Sequence, residues 1–171
     1  HLGNTLIKYT IPDSVTSIKD SAFINTKFYK EAVENKQLFV YVDNWVIGCT
    51  NKNQLLTDEN GAEKGWAITA DSFDREAVGL GDSVFSQSRT LGTVTLPSTI
   101  KYLGYEAFAN CQQLYTVNLA NTQIERIGER AFYRCGLLKT VNMKKPNGTS
   151  PIKTIGKYAF AYCSSLVNSA I

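Results

Sequence analysis

The chain has 171 residues, of which 43% are hydrophobic, 11% aromatic and 19% charged, with a formal net charge of +3. That balance suits a single domain with a real core and excludes a disordered tail. No apolar run approaches the ~18 residues of a membrane-spanning helix, and the one histidine, His1, leaves no His-dependent triad and few zinc chemistries open.

The charge is uneven. Residues 1–91 carry nine Lys/Arg against twelve Asp/Glu, and residues 92–171 carry nine against three. A basic half attracts acidic glycans, acidic protein faces or nucleic acid. No stretch reaches the density of a basic nucleic-acid tract, so a solvated surface is favoured and no nucleic-acid partner is expected. The chain opens His1-Leu2-Gly3 without a basic n-region or a long apolar segment, so no secretory signal is read there.

In chain order, the first element is a partial copy of a repeat that becomes regular only later. Over 6–29, Tyr9-Thr10-Ile11-Pro12 is followed by Val15, Ile18, Ala22-Phe23 and Thr26. Val15 precedes Phe23 by eight positions, a spacing that recurs below.

Residues 30–76 do not keep the repeat and read as a helix and hairpin insertion within one solenoid. The sequence KFYKEAVENK at 27–36 predicts a short amphipathic helix. Residues 39–42 and 45–48 flank Asp43-Asn44, a two-residue hairpin signal, and Asn60-Gly61 marks a second tight turn before 66–69. Two chemistries compete for this stretch. Asp58-Glu59-Asn60-Gly61 with Glu63 lacks the ligand spacing of an EF-hand loop and reads as a solvated turn, so no metal is expected. Asp71, Asp74 and Glu76 offer carboxylates of the kind glycoside hydrolysis uses. Acidic residues near a helix start are ordinary, however, and no catalytic motif accompanies them. Neither enzymatic activity nor a cofactor is expected.

From residue 77 the repeat is regular. Phe85, Phe108, Phe132 and Phe160 are spaced by 23, 24 and 28 residues, and Ala107, Ala131 and Ala159 precede three of them, with Val84 the variant. Ile100, Ile124 and Ile152 stand eight positions before their Phe. Leu103, Ile127 and Ile155 stand five before, each followed by a glycine at 104, 128 or 156. Three residues after each Phe come Ser88, Cys111, Cys135 and Cys163, and six after come Leu91, Leu114, Leu138 and Leu166. Val94, Val117, Val141 and, out of pattern, Ser169 follow at nine, then Leu96, Leu119, Met143 and Ile171 at eleven. The segment L-x-x-V-x-L alternates as a short strand with one buried face does. A period near 23 leaves room for one such strand, a turn and a return segment. One coil cannot bury its own apolar face, so coils must stack around a shared core. The small Ala beside the Phe lets the return segment approach the strand layer closely.

Four cysteines are present without a C-x-x-C pair. An even count allows two disulfides, but a slot that accepts Cys, Ser or Thr better fits small buried side chains donating to backbone carbonyls. Cys49 stands outside the register, and its state is left open.

The stretches LPSTIKYLGYEAFANCQQLYTVNL (96–119), IERIGERAFYRCGLLKTVNM (124–143), IKTIGKYAFAYCSSL (152–166) and, in part, IPDSVTSIKDSAF (11–23) resemble the BspA-like leucine-rich repeats of bacterial and some protozoan surface proteins. The resemblance covers 77–171 most specifically, then 6–29, and fades between. It implies an α/β repeat solenoid, a right-handed leucine-rich-repeat superhelix with a parallel concave strand layer, interrupted by a β-hairpin insertion of a kind the family often carries. It also implies one domain over 1–171, export to the cell surface, and binding or adhesion in place of catalysis. This sequence departs from the pattern where Ser88 and Thr26 replace the Cys, where Val84 replaces the Ala, and where Ser169 breaks the final strand. Neither end reads as the polar cap a terminal coil needs, so a fragment of a longer array is expected.

Two surfaces are candidates for a ligand. The outward residues of the strands are Thr93 and Thr95, Thr116 and Asn118, Thr140 and Asn142, then Asn168 and Ala170, which stack into an uncharged, hydrogen-bonding face. Threonine also simply suits exposed strands. Length varies only between strand end and next Ile, at 97–99, 120–123 and 144–151. The longest of these loops begins Lys144-Lys145-Pro146-Asn147-Gly148-Thr149 and includes a glycosylation acceptor sequence, meaningful in a eukaryotic host. Tolerated surface drift is its plainer explanation. The expected function is a non-enzymatic surface module that recognises a protein or glycan through Thr93, Thr95, Thr116, Asn118, Thr140, Asn142, Lys144 and Lys145. The alternatives are a structural spacer projecting another domain, with end-to-end self-association through exposed coil ends, and, last, a carboxylate-based glycoside hydrolase.

Overall fold

The computed structural model describes residues 10–170 apart from 55, 58, 62, 74, 75 and 146, so Tyr9, Asp58, Asp74, Pro146 and Ile171 lie outside the described residues. Helix α1 (Lys27–Glu34) leads into the hairpin β1 (Phe39–Val42) and β2 (Trp45–Cys49), the ribbon β3 (Leu56–Thr57) and β4 (Glu63–Lys64), and then β5 (Trp66–Ile68). A 3₁₀ turn at Ala70–Ser72 follows. Short strands then succeed one another as β6 (Gly79–Leu80), β7 (Leu91–Thr95), β8 (Tyr102–Leu103), β9 (Thr116–Asn118), β10 (Arg126–Ile127), β11 (Thr140–Asn142), β12 (Thr154–Ile155) and β13 (Asn168–Ala170). The hairpin forms where Asp43-Asn44 predicts it, with Asp43 at φ +50°, and Gly61 at φ +80° turns β3 into β4.

These strands sort into two sheets running along a solenoid of stacked coils. The first has the order β13-β11-β9-β7-β5 and is parallel throughout. The second has the order β1-β2-β6-β8-β10-β12 and is parallel apart from the β1–β2 hairpin. The sequence predicts the first sheet alone. Strands of two residues are too short to show an alternation, and they exist because successive coils lie in register, Gly79 against Tyr102, Tyr102 against Arg126, and Arg126 against Thr154. The expected break at Ser169 is corrected. Asn168, Ser169 and Ala170 pair with Thr140, Val141 and Asn142, because the ladder is made by backbone groups whatever side chain faces the core.

The return segments make a third side, laddered in one sense. The N–H groups of Ser83, Phe85 and Gln87 donate to the carbonyls of Tyr105, Ala107 and Ala109 in the next coil at 2.9, 2.8 and 2.7 Å. Glu106, Phe108 and Asn110 donate likewise to Glu129, Ala131 and Tyr133, and Arg130, Phe132 and Arg134 to Lys157, Ala159 and Ala161. The residues two before and two after each Phe have positive φ, from +50° to +63°, which bends the chain around the ring.

The rings stack along the axis. Phe85–Phe108, Phe108–Phe132 and Phe132–Phe160 have centroids 5.0, 5.2 and 5.2 Å apart and interplanar angles of 11°, 2° and 5°. Coils this close leave no room beneath the glycines. A Cβ on Gly104 would stand 2.5 Å from the carbonyl carbon of Gly81, and one on Gly128 would collide with the Gly104 carbonyl.

Phe23, the ring of the partial first copy, does not join this column. Phe39 ends it instead, edge-on to Phe85 at 5.7 Å and 86° and packed on Phe73 at 4.8 Å. Phe23 lies half-buried in a second apolar cluster with Val15 and Phe28, around Ile18, Trp45 and Ile47. The reason lies in the stretch read as an insertion. Strand β2 pairs with β6 and β5 pairs with β7, so residues 45–68 supply a coil of their own between Phe23 and Phe85. In that coil the β3–β4 ribbon stands where other coils have their return segment. Ile18 keeps one bond across, its carbonyl accepting the Asp82 N–H at 2.8 Å.

Candidate functional site

The first sheet sets its outward residues in two rows. Ala67, Thr93, Thr116, Thr140 and Asn168 are successive register partners, and so are Thr95, Asn118, Asn142 and Ala170. Each row advances by one strand spacing, about 4.8 Å. The inward Val94, Val117 and Val141 between them are buried, which fixes which way the Thr and Asn residues of β7, β9 and β11 point. Thr95, Thr140 and Asn142 are exposed, while Thr93, Thr116 and Asn118 are half-buried. Asn118 has local work to do, since its Oδ1 accepts the Ala120 N–H at 3.1 Å and ends the strand. The hydroxyls of Thr93, Thr95, Thr116 and Thr140 have no hydrogen-bond partner among the described residues.

Lys144 and Lys145 leave the sheet directly after β11, Lys144 exposed and Lys145 half-buried. The loop closes on itself. The Lys145 N–H donates to the Thr149 carbonyl and the Gly148 N–H to the Lys145 carbonyl, both at 2.8 Å, with Gly148 at φ +79°. Asn147 Oδ1 accepts the Thr149 N–H and hydroxyl at 3.1 and 2.7 Å. The lysines are thus the base of a tied turn beside the end of the Asn118–Asn142 row.

Sequence reasoning missed the apolar fringe of this face. Tyr115 and Val167, which directly precede β9 and β13, are large exposed hydrophobics. Tyr115 immediately precedes Thr116, and its ring reaches over Gly92, where the missing side chain leaves room. The signal was available, because the position before each outward Thr or Asn in β9, β11 and β13 holds Tyr115, Lys139 or Val167 instead of a small residue.

The cysteine slot is a structural ladder. Cys111, Cys135 and Cys163 donate their thiols to the carbonyls of Phe85, Phe108 and Phe132 in the preceding coil, at 3.2, 3.1 and 3.1 Å. Ser88 does the same toward the Lys52 carbonyl. Thr26, by contrast, turns back on Phe23 of its own segment at 2.6 Å. All four cysteines are free thiols. The neighbouring Cys111 thiol and burial push Cys135 far above the ordinary thiol range, while burial raises Cys163 to about 12 and Cys49 to about 11. Thiols held protonated are donors rather than nucleophiles.

Of the three candidate carboxylates, Asp74 lies outside the described residues. Asp71, in the first turn of the 3₁₀ segment, and Glu76 are both exposed. Among the described residues no group of three or more His, Cys, Asp or Glu is gathered to hold a metal. Two clefts of about 240 and 250 Å³ lie against the N-terminal cluster, one beside Cys49, Asp20 and Asp82 and the other beside Trp45, Ile11 and Lys101, away from the threonine rows. No described helix is long and apolar enough to cross a membrane.

The family model of the BspA type leucine rich repeat region matches in six copies, over residues 3–60 and 69–171. The chain belongs to this family. Membership in the BspA type family marks it as a repeat module for protein interaction or structure. Solved structures similar to this BspA type chain include a leucine-rich repeat protein from Bacteroides ovatus, 23% identical with a TM-score of 0.40, covering 62% of this chain and 36% of that one. A leucine-rich repeat protein of T. pallidum is 20% identical with a TM-score of 0.40, covering 70% and 68%. The pneumococcal vaccine antigen PcpA is 14% identical with a TM-score of 0.33, covering 71% and 34%. The chain therefore spans about a third of the length of the Bacteroides ovatus protein. No curated protein matches its sequence.

Proposed function

We propose that this chain is a non-enzymatic binding module of a cell-surface or secreted protein, engaging a protein or glycan ligand through the outward face of the first sheet and the adjoining 144–151 loop. The observation that carries this reading is the pair of in-register rows, in which the hydroxyls of Thr93, Thr116 and Thr140 stand one above another with no internal partner. A rigid sheet holds these groups at fixed spacing, so a ligand loses entropy on one side of the contact only. Tyr115, exposed and directly preceding Thr116, supplies apolar area beside them. The test is interferometric binding to a panel of matrix proteins and glycans, with the Thr95→Arg/Thr140→Arg double variant, at two exposed positions, run beside the parent. A specific signal lost in the variant at unchanged melting temperature supports the reading. A signal that survives moves the site elsewhere, and silence across the panel from a folded domain favours the spacer.

A further inference from the structure

A cluster of cations and rings lies on the return side of the last two described coils, away from the threonine rows. The Arg134 guanidinium sits 5.3 Å from the ring centroid of Tyr133 and 5.6 Å from that of Tyr162, and these two rings meet at 5.3 Å and 88°. Arg130 lies 5.5 Å from the Tyr133 ring and 5.9 Å from Tyr158, its Nη1 donating to the Tyr105 hydroxyl at 3.1 Å and standing 3.6 Å from Glu106. Lys157 Nζ stands 4.9 Å over Tyr158. Tyr158 is 50% exposed and Tyr162 68%. Arg134 and Lys157 have no carboxylate partner among the described residues.

Two features separate this cluster from an ordinary solvated face. Arg130, Arg134, Tyr158 and Tyr162 all have φ between +55° and +61°, a backbone that bulky side chains adopt at a cost. The matching positions of earlier coils hold the smaller or more tolerant Ser83, Gln87, Glu106 and Asn110. The side chains are also fixed against one another, so Arg134 presents free donors from a braced position.

We infer that the surface formed by Arg130, Tyr133, Arg134, Tyr158 and Tyr162 docks an acidic segment of a protein partner, with Arg134 taking a carboxylate. A guanidinium fork matches a carboxylate in two parallel hydrogen bonds, and Tyr and Arg are the residues that concentrate binding energy at protein interfaces. The excess of cations over residues 92–171 adds a field of the right sign. A sugar fits less well. Tyr133 and Tyr162 meet edge to face with Arg134 against both, and Tyr158 carries Lys157, so a pyranose would have to stack on rings already engaged on one side. This surface is separate from the threonine rows, and its failure leaves the first-sheet reading standing.

The test is fluorescence anisotropy of the whole chain with a labelled decaglutamate peptide, competed by a heparin oligosaccharide in a second arm. Arg134→Ala and Tyr162→Ala, both at exposed positions, are expected to weaken peptide binding about tenfold or more at unchanged melting temperature. Lys30→Ala on α1, which removes the same unit of charge as Arg134→Ala, is expected to leave it unchanged. Equal losses in Lys30→Ala and Arg134→Ala overturn the inference in favour of net charge alone. Binding of heparin without peptide overturns it in favour of a sulfated glycan, and absence of any binding overturns it outright.

Discussion

From Gly79 onward the coils are filled by rings that lie nearly parallel at 5.0–5.2 Å, whereas the coil built from 45–68 is filled by Phe39, which arrives edge-on from β1, and by Phe73 from beyond the 3₁₀ turn. Both regions pair with their neighbours in both sheets. The difference teaches that backbone register is the constant of this solenoid, while the means of filling its centre can change. Where a coil keeps its return segment, the ring comes from within. Where a ribbon replaces that segment, the ring is borrowed from elsewhere in the chain.

The strongest way to break this comparison is to remove a ring. Phe132, fully buried with rings on both faces, is expected to cost about 3–5 kcal/mol on truncation to Ala. Phe23→Ala, half-buried in the second cluster, should cost clearly less by denaturant unfolding. Equal losses would mean that Phe23 supports the same column after all. Next in size is the close approach of coils. Gly128→Ala forces a Cβ onto the Gly104 carbonyl and should destabilise by about 1–3 kcal/mol. Gly92→Ala, whose Cβ would find nothing nearer than 3.8 Å, should leave the melting temperature within a few degrees of the parent.

The cysteines sharpen the contrast by chemistry. Native-state alkylation at mildly alkaline pH should label the half-exposed Cys49 slowly and leave Cys111 and Cys135, both fully buried, unlabelled until the chain unfolds. Labelling of Cys135 ahead of Cys49, read by peptide mass spectrometry, would show that the regular coils open first. The smallest effect is expected on the surface of the regular coils. Lys153 donates to Glu125 at 2.7 Å and holds that carboxyl below its usual range. A depressed carboxyl contributes stability above its unfolded value, about 4.3, and loses it as pH falls through the folded one. The melting-temperature gap between the parent and Lys153→Ala should therefore close in acid, and a gap that persists would assign the effect to packing of the lysine stem.

The repeat, the longer strands, the cysteine ladder and the first hairpin were legible because each rests on a spacing or a turn residue that recurs in the sequence. The two-residue strands of the second sheet were not, since they depend on stacking and leave no pattern within one coil. The place of Phe23 was not legible, because its local spacing matches the repeat while the coil between it and Phe85 is made by β2 and β5, whose partners lie far along the chain. The threonine rows followed directly from strand alternation. Tyr115 escaped notice because it stands just outside that alternation, and the Arg–Tyr surface did so because it joins positions of different coils that share no motif.

One consequence remains in the return side. In the first sheet, bonds between coils run both ways, Tyr115 N–H to the Gly92 carbonyl and Leu119 N–H to that of Asn142, so their dipoles largely cancel. On the return side every backbone bond between coils, from Ser83 through Arg134, points its N–H toward the next coil. The peptide dipoles of these nine donors, about 3.5 D each, add along the axis, opposed in part by the peptides of Phe85, Phe108 and Phe132, whose carbonyls face the next coil to accept the cysteine thiols. The result is a macrodipole without a helix, its positive end toward the coil of Tyr158 and Tyr162, on the flank where Arg130 and Arg134 already gather charge. Because it is built from main-chain groups, that polarity survives any side-chain substitution and makes the two ends of the solenoid electrically distinct.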